Sequence, residues 1–309
     1  MSLPEAAVLG TRGSKLALTQ AEHCAGKLRA VGLDVVEIRV VKTTSEHHPE
    51  TPLSVIDQRD VFTCQLDEAL LAGEIDLAVH SLKDIPTEVP RGIVLAAITE
   101  RHDPSDVLVS ERRWGVGELP QGAVVATSSL RRRAQLLHHR PDLRVVDIRG
   151  NVDTRIRKVR EGDADALVLA RAGIERLGLS APYTVIPPEV MLPAVGQGAL
   201  AVATLEDSPH YKRIREALDH EPTGLAVRAE RAMLNTLEGG CRVPVGALGA
   251  VREGEVRLLG IVGSIDGALL YSGEAGGIDP EEVGERLGRD LLDQGAAVVL
   301  GEIQEARSR

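Results

Sequence analysis

Residues 6–41 read AAVLGTRGSKLALTQAEHCAGKLRAVGLDVVEIRVV. Ala6 to Gly10 is a short apolar run of strand type. From Ser14 to Ala30 the pattern changes to a helical period, with Ala17, Ala21, Cys24, Leu28 and Val31 on one face. Val35 to Val41 returns to a strand. A strand, a helix and a strand within so few residues imply a parallel pair with a crossover helix, the unit of an α/β sheet.

The same alternation continues outward. Phe62 to Ala72 is helical and Ile75 to Val79 is a buried strand. After Asp103-Pro104 the pattern restarts, with strands at 123–126, 143–148 and 166–170 and helices at 130–138 and 151–160. Leu200 to Ala203 reads as a further strand and Ser208 to Leu218 as a helix. Beyond His220 the character changes. A long helix over 223–237 ends at Gly239-Gly240, three strands follow at 245–250, 256–262 and 268–274, and Pro280 to Leu292 closes as a helix.

A chain of 309 residues exceeds one ordinary domain. Its 43% hydrophobic content supplies a core, but aromatics are only 2%, so aliphatic side chains must fill it. A net charge of −10 disfavours DNA and anionic membranes, and the scarce aromatics leave little to stack on single-stranded bases. Against that acidity, residues 131–160 hold ten Arg or Lys and three Asp, a local balance of +7. One basic segment in an acidic protein points to a small anion. Three widely spaced cysteines suggest free thiols in a reducing compartment and no metal site. The opening MSLPEAAVLGTRGS has neither a basic start nor a long apolar run, and no segment reaches the roughly 20 apolar residues of a membrane span, so the expected location is cytoplasmic.

In open α/β sheets ligands bind beyond the carboxyl ends of the strands. Four polar clusters fall there: Thr11 to Ser14, His80 to Asp84, Thr127 to Arg133, and Arg149 to Asn151 with Arg155 one turn on. Ser128 or Ser129 can cap the following helix. Arginines in a first helical turn oppose the helix dipole unless an anion joins them, so Arg131 and Arg132 point to a carboxylate or phosphate; a solvated basic helix is the plain alternative. Lys83-Asp84 is either a surface ion pair or, at a strand end, an acid/base group. Cys241 behind Gly239-Gly240 is either a cysteine in a turn or an open nucleophile or attachment point. Cys24 belongs to a helix's apolar face.

Seven stretches, taken together, resemble the porphobilinogen deaminase family: GTRGSKLALTQ (10–20), LAVHSLKDIPTEVP (77–90), TSSLRRRAQL (127–136), VVDIRGNVDTRIRK (145–158), LARAGIERLG (169–178), MLPAVGQGAL (191–200) and AVRAERAMLNTLEGGCRVPVGA (226–247). The resemblance implies an α/β fold of two periplasmic-binding-type lobes plus a small C-terminal α+β domain, divided as 1–99 with 200–219, 100–199, and 220–309. It implies a transferase that condenses four porphobilinogen molecules into hydroxymethylbilane with release of ammonia, on a dipyrromethane cofactor in thioether linkage to Cys241. Asp84 takes the catalytic position. Lys83, Ser128, Ser129, Arg131 and Arg132 take cofactor positions, and Arg12, Ser14, Phe62, Arg149, Arg155 and Arg176 take substrate positions. A cytoplasmic monomer with no nucleic-acid, membrane or metal partner is expected. The chemistry suits the residues: each pyrrole carries acetate and propionate arms, which arginine binds bidentately. Two stretches depart from the family. Asp57 to Asp67 stands where the family has a glycine- and lysine-rich GGKGLFTKELE, keeping Arg59, Phe62 and Thr63 in type, and Val202 to Leu205 replaces an IECR-like end. Two other readings compete: a non-enzymatic two-lobed small-anion-binding protein, which leaves Gly-Gly-Cys unexplained, and a nucleic-acid module using residues 131–160.

Overall fold

The computed structural model describes residues 6–41, 63–237 and 243–308. It divides into two compact units, residues 1–101 with 199–224 and residues 102–198 with 225–309.

The first unit holds a five-stranded sheet in the order β2-β1-β3-β10-β4. Its strands are β1 (Ala6–Thr11), β2 (Asp34–Val40), β3 (Leu77–Ser81), β4 (Ile93–Ile98) and β10 (Leu200–Leu205). β1 runs parallel to β2 and β3, and β10 runs antiparallel to both β3 and β4. Helix α1 (Lys15–Ala30) and α6 (Tyr211–Leu218) cover one face, with Leu9, Leu28, Leu77, Val202 and Ile214 in the shared core. Helix α2 (Cys64–Leu71) covers the other over Leu66, Leu70, Ile75 and Ala78.

The second unit repeats that order. β5 (Asp106–Val109), β6 (Val124–Ala126), β7 (Arg144–Val146), β8 (Ala166–Ala170) and β9 (Tyr183–Val185) form a sheet ordered β7-β6-β8-β5-β9. β6 runs parallel to β7 and β8, and β5 antiparallel to β8 and β9. Helices α3 (Leu130–His139), α4 (Val152–Arg160) and α5 (Arg171–Arg176) connect them. The unit also carries a three-stranded antiparallel sheet, β11 (Val245–Arg252), β12 (Glu255–Gly263) and β13 (Leu270–Gly277). Glu253-Gly254, both at positive φ, make its first hairpin turn. Helices α7 (Glu221–Thr236), α8 (Pro280–Leu291) and α9 (Ala297–Ser308) accompany this sheet, and Met233, Leu258 and Leu287 share its core. α7 approaches β11 so closely that a Cβ on Gly249 would stand 2.6 Å from the Ala226 carbonyl oxygen.

The α/β fold with two sheet-containing lobes and a small C-terminal α+β part is therefore as the sequence implies, and the structure adds that each lobe's sheet has five strands. β4, β5, β9 and α9 were not anticipated. The first three lie on the side of each sheet where strands run antiparallel, so no crossover helix announces them. Among the described residues no helix is long and apolar enough to cross a membrane.

Candidate active site

Ser14 caps α1, its Oγ accepting from the Ala17 amide at 3.2 Å, and this turns the chain directly after β1. Arg12 lies in that turn. β3 ends at Ser81 and passes into a single 3-10 turn, Leu82–Asp84. There Arg12 Nη2 donates to Asp84 Oδ2 at 3.0 Å, with side chains 21% and 27% exposed. Lys83 is half-buried beside Asp84. Gln20 on α1 is bonded to the Ser81 hydroxyl at 3.0 Å. His80, one residue earlier, is 5% exposed. Burial, with the Arg12 charge adding to it, pushes its imidazole down to about 3, so it is neutral at ordinary pH.

In the second unit the Ser-Ser ambiguity resolves. Ser129 caps α3, its Oγ accepting from the Arg132 amide at 3.4 Å, whereas the Ser128 hydroxyl binds both the carbonyl and the amide of Ile148, at 2.7 and 3.0 Å. Ser128 thus ties the end of β6 to the segment that leads into Arg149. Arg131 and Arg132 are 4% and 7% exposed, and the anion that joins them is internal: Asp106, the first residue of β5, at 0%. Arg132 Nε and Nη2 donate to Asp106 Oδ1 at 3.2 and 2.8 Å, and its Nη1 donates to the Val168 carbonyl. Arg131 Nη1 lies 2.8 Å from Oδ2 and donates to the Leu192 carbonyl at 2.6 Å. Gln197 Nε2 adds a bond to Oδ1 at 2.9 Å. Burial pushes the Asp106 carboxyl up, but the two guanidinium charges and their hydrogen bonds reverse this and hold it well below the usual carboxylate range.

Arg155 on α4 is half-buried and donates from Nε to the Gly150 carbonyl at 2.7 Å. Burial first and the Arg132 charge second make its protonated form less favourable. Arg149 is exposed, and its carbonyl accepts from Lys158 Nζ. Arg176 donates from Nη2 to the Gly198 carbonyl at 2.6 Å. Arg59, Phe62 and Cys241, together with Gly239 and Gly240, lie outside the described residues. The structure thus pairs Arg12 with Asp84, and gathers Arg131 and Arg132 about Asp106, with Ser129 capping the helix that carries them. Sequence reasoning missed Asp106 and Gln197. Asp106 stands immediately before the apolar run Val107-Leu108-Val109, and recognising that run as a strand would have placed the acid at its end.

Among the described residues, Asp106 is the one carboxylate in contact with Arg131, Arg132 or Arg155. Two buried guanidiniums facing one carboxylate, with the Arg155 charge acting on Arg132, leave a net positive site that suits a ligand with several carboxylates. A dipyrromethane with acetate and propionate arms fits that donor set. Residues 7–213 match the family model described as "Porphobilinogen deaminase, dipyromethane cofactor binding domain", and residues 224–293 match "Porphobilinogen deaminase, C-terminal domain".

The chain belongs to the porphobilinogen deaminase family. It is 66% identical to the porphobilinogen deaminase of Rubrobacter xylanophilus over 294 residues, covering 95% of this chain and 96% of the relative. The enzyme of Desulforudis audaxviator is 48% identical over 301 residues, covering 96% and 97%, and that of Syntrophomonas wolfei 46% over 301 residues, covering 96% and 98%. This chain is accordingly a transferase with a dipyrromethane cofactor-binding domain.

Proposed function

We propose that this chain condenses four porphobilinogen molecules into hydroxymethylbilane, releasing ammonia, on a dipyrromethane held by a thioether at Cys241. The observation that carries the reading is the surplus of positive charge where two buried guanidiniums, Arg131 and Arg132, share the single carboxylate of Asp106, with the Arg155 charge near enough to oppose that of Arg132. When bound, the dipyrromethane supplies a free pyrrole carbon to which the first substrate is joined. Arg131, Arg132 and Lys83 hold its carboxylates as cations. The Ser129 hydroxyl accepts from the Arg132 amide and so keeps its proton to donate, while Ser128 fixes the turn. Arg12, Ser14, Phe62, Arg149, Arg155 and Arg176 receive the side chains of substrate pyrroles.

Asp84 is the catalytic carboxylate. Loss of ammonia from porphobilinogen leaves a cationic methylene-pyrrole; a carboxylate beside its pyrrole N–H stabilises that cation and, once the new C–C bond forms, takes the α-proton that the acceptor pyrrole must lose to regain its aromaticity. Arg12 orients Asp84 through their 3.0 Å contact. The working protein is a cytoplasmic monomer of three domains: 1–99 with 200–219, 100–199, and 220–309.

Intact-mass measurement of the purified chain tests the reading. The mass should exceed the sequence by one dipyrromethane, and the adduct should map to a peptide containing Cys241 and vanish in Cys241→Ser. An adduct on Cys24 or Cys64, or an active chain of unmodified mass, overturns it.

A further inference from the structure

Asp106 has no part in the chemistry described above, yet it is fully buried and engaged by three side chains, Arg131, Arg132 and Gln197. Its placement follows from topology. β5 is the antiparallel strand of its sheet, so its first residue lies level with the last residue of β8, opposite Ala170. Beginning a strand there delivers a side chain to the carboxyl edge where α3 starts. Oδ1 receives Arg132 twice and Gln197 once, and Oδ2 faces Arg131. Gln197 is itself fixed by a second bond, from Nε2 to the Pro104 carbonyl at 2.7 Å. Without the acid, two guanidiniums would crowd each other in the first turn of a helix, whose dipole is also positive there. Two buried like charges in such a place would swing toward water.

The distribution of bonds is uneven. Arg132 is bonded through Nε, Nη1 and Nη2. Arg131 donates from Nη1 to the Leu192 carbonyl, and the same nitrogen lies 2.8 Å from Asp106 Oδ2. Leu192 is clamped in turn by Gln135, which accepts from its amide at 2.7 Å and donates to its carbonyl at 3.1 Å. Arg131 is thus anchored through Nη1, with fewer described bonds within the protein than Arg132.

We propose that Asp106, seated by Gln197, is a positioning residue for cofactor binding: it fixes both guanidiniums and cancels one of their two charges, so the pair offers one carboxylate of the dipyrromethane a single preset cationic site. This rests on the assignment of Arg131 and Arg132 to the cofactor. A preset site avoids the cost of ordering two long side chains during binding, and a site with one net charge holds a carboxylate without drawing in bulk anions.

The test is the porphobilinogen concentration giving half-maximal loading of apo-protein, read as the adduct-bearing fraction by intact mass, alongside a denaturation midpoint for each variant. Asp106→Asn should be folded and need about tenfold more porphobilinogen, an effect that a purely structural role, which lowers the midpoint alone, does not produce. Asp106→Glu, which restores the charge, should recover most of the shift. Folded Asp106→Asn loading at the wild-type concentration overturns the proposal. If Asp106→Asn fails to fold, Gln197→Leu decides: it keeps all three charges and should raise the concentration about threefold, and no change overturns the proposal. Arg131→Leu and Arg132→Leu separate the two layers. If both load normally, the assignment of the arginine pair falls; if they stay apo while Asp106→Asn loads normally, only the positioning role falls.

Discussion

The two five-stranded sheets share one strand order, and each begins its antiparallel strand at the same slot. In the first, Leu200 opens β10 opposite Ser81; in the second, Asp106 opens β5 opposite Ala170. Leu200 is 1% exposed and apolar, Asp106 is 0% exposed and charged. The slot is buried in both cases, so the fold requires only that it be filled. What fills it follows from the neighbouring charges. The first sheet places its Arg–Asp pair in a half-exposed turn and can leave the slot to leucine. The second buries two arginines at the start of α3 and needs an anion within reach. The backbone plan is common to the two sheets, and the electrostatic plan is local to each site.

Truncating the acid of each pair puts this contrast at risk. Asp106→Ala strands two buried guanidiniums and should cost about 3–5 kcal/mol in chemical denaturation. Asp84→Ala removes one partner of a pair about a quarter exposed and should cost at most about 1 kcal/mol, water replacing the lost contact. Activity should reverse the order, with folded Asp84→Ala losing most turnover. Equal stability losses in the two variants would mean that burial does not distinguish the sites.

The difference also governs what could be read from the sequence. β1, α1 and β2 were legible because apolar spacing alone reports them, and the clusters at Arg12, Asp84 and Arg131 were legible because polar residues closed apolar runs. Asp106 was not. It precedes a strand of only four residues, and nothing local reveals that its partners sit 25 and 26 positions away on α3. Ser128 and Ser129 could not be told apart for a similar reason: both can cap a helix, and only the return of Ile148 to Ser128 in space assigns the cap to Ser129. Long-range charge pairing and register lie outside periodicity.

Acid should sharpen the contrast, with a somewhat smaller effect. Asp106 has its carboxyl held below the usual range, so its contribution is fully present above its unfolded value near pH 4 and is lost only in stronger acid. His80 in the first sheet behaves otherwise. Its folded value is about 3 against an ordinary 6.5, so the unfolded chain takes the proton first. Stability due to neutral His80 is present above pH 6.5 and drains as pH falls toward 3, by about 3 kcal/mol at pH 4. Asp67, whose carboxyl burial pushes up to about 6, works in the opposite sense and loses its contribution as pH rises through that value. The difference between wild type and His80→Gln isolates the histidine: the variant should lose less stability between pH 7 and pH 4. Parallel curves would remove His80 as the acid-sensitive point of the first sheet.

The smallest effect expected concerns Cys64, and it asks whether burial also sets costs within a single lobe. Cys24 on α1 is fully buried in the aliphatic core, where a hydroxyl would be taken out of water into an apolar setting. Cys64 is the first residue of α2, only partly buried, and its Sγ donates to Glu68 Oε1 at 3.4 Å. Serine supplies a donor at nearly the same place, and an exposed helix start tolerates it well. Cys64→Ser should therefore shift stability by no more than about 0.5 kcal/mol, while Cys24→Ser costs about 1–3 kcal/mol. Adduct loading should be unchanged in Cys64→Ser, because the attachment proposed is at Cys241. Denaturation midpoints and intact masses of the two variants check both statements. A Cys64→Ser chain that lost its adduct would place the cofactor on α2 and undo the assignment of Cys241; a Cys24→Ser chain as stable as wild type would show that this core accommodates a hydroxyl, and that depth of burial alone does not set the cost.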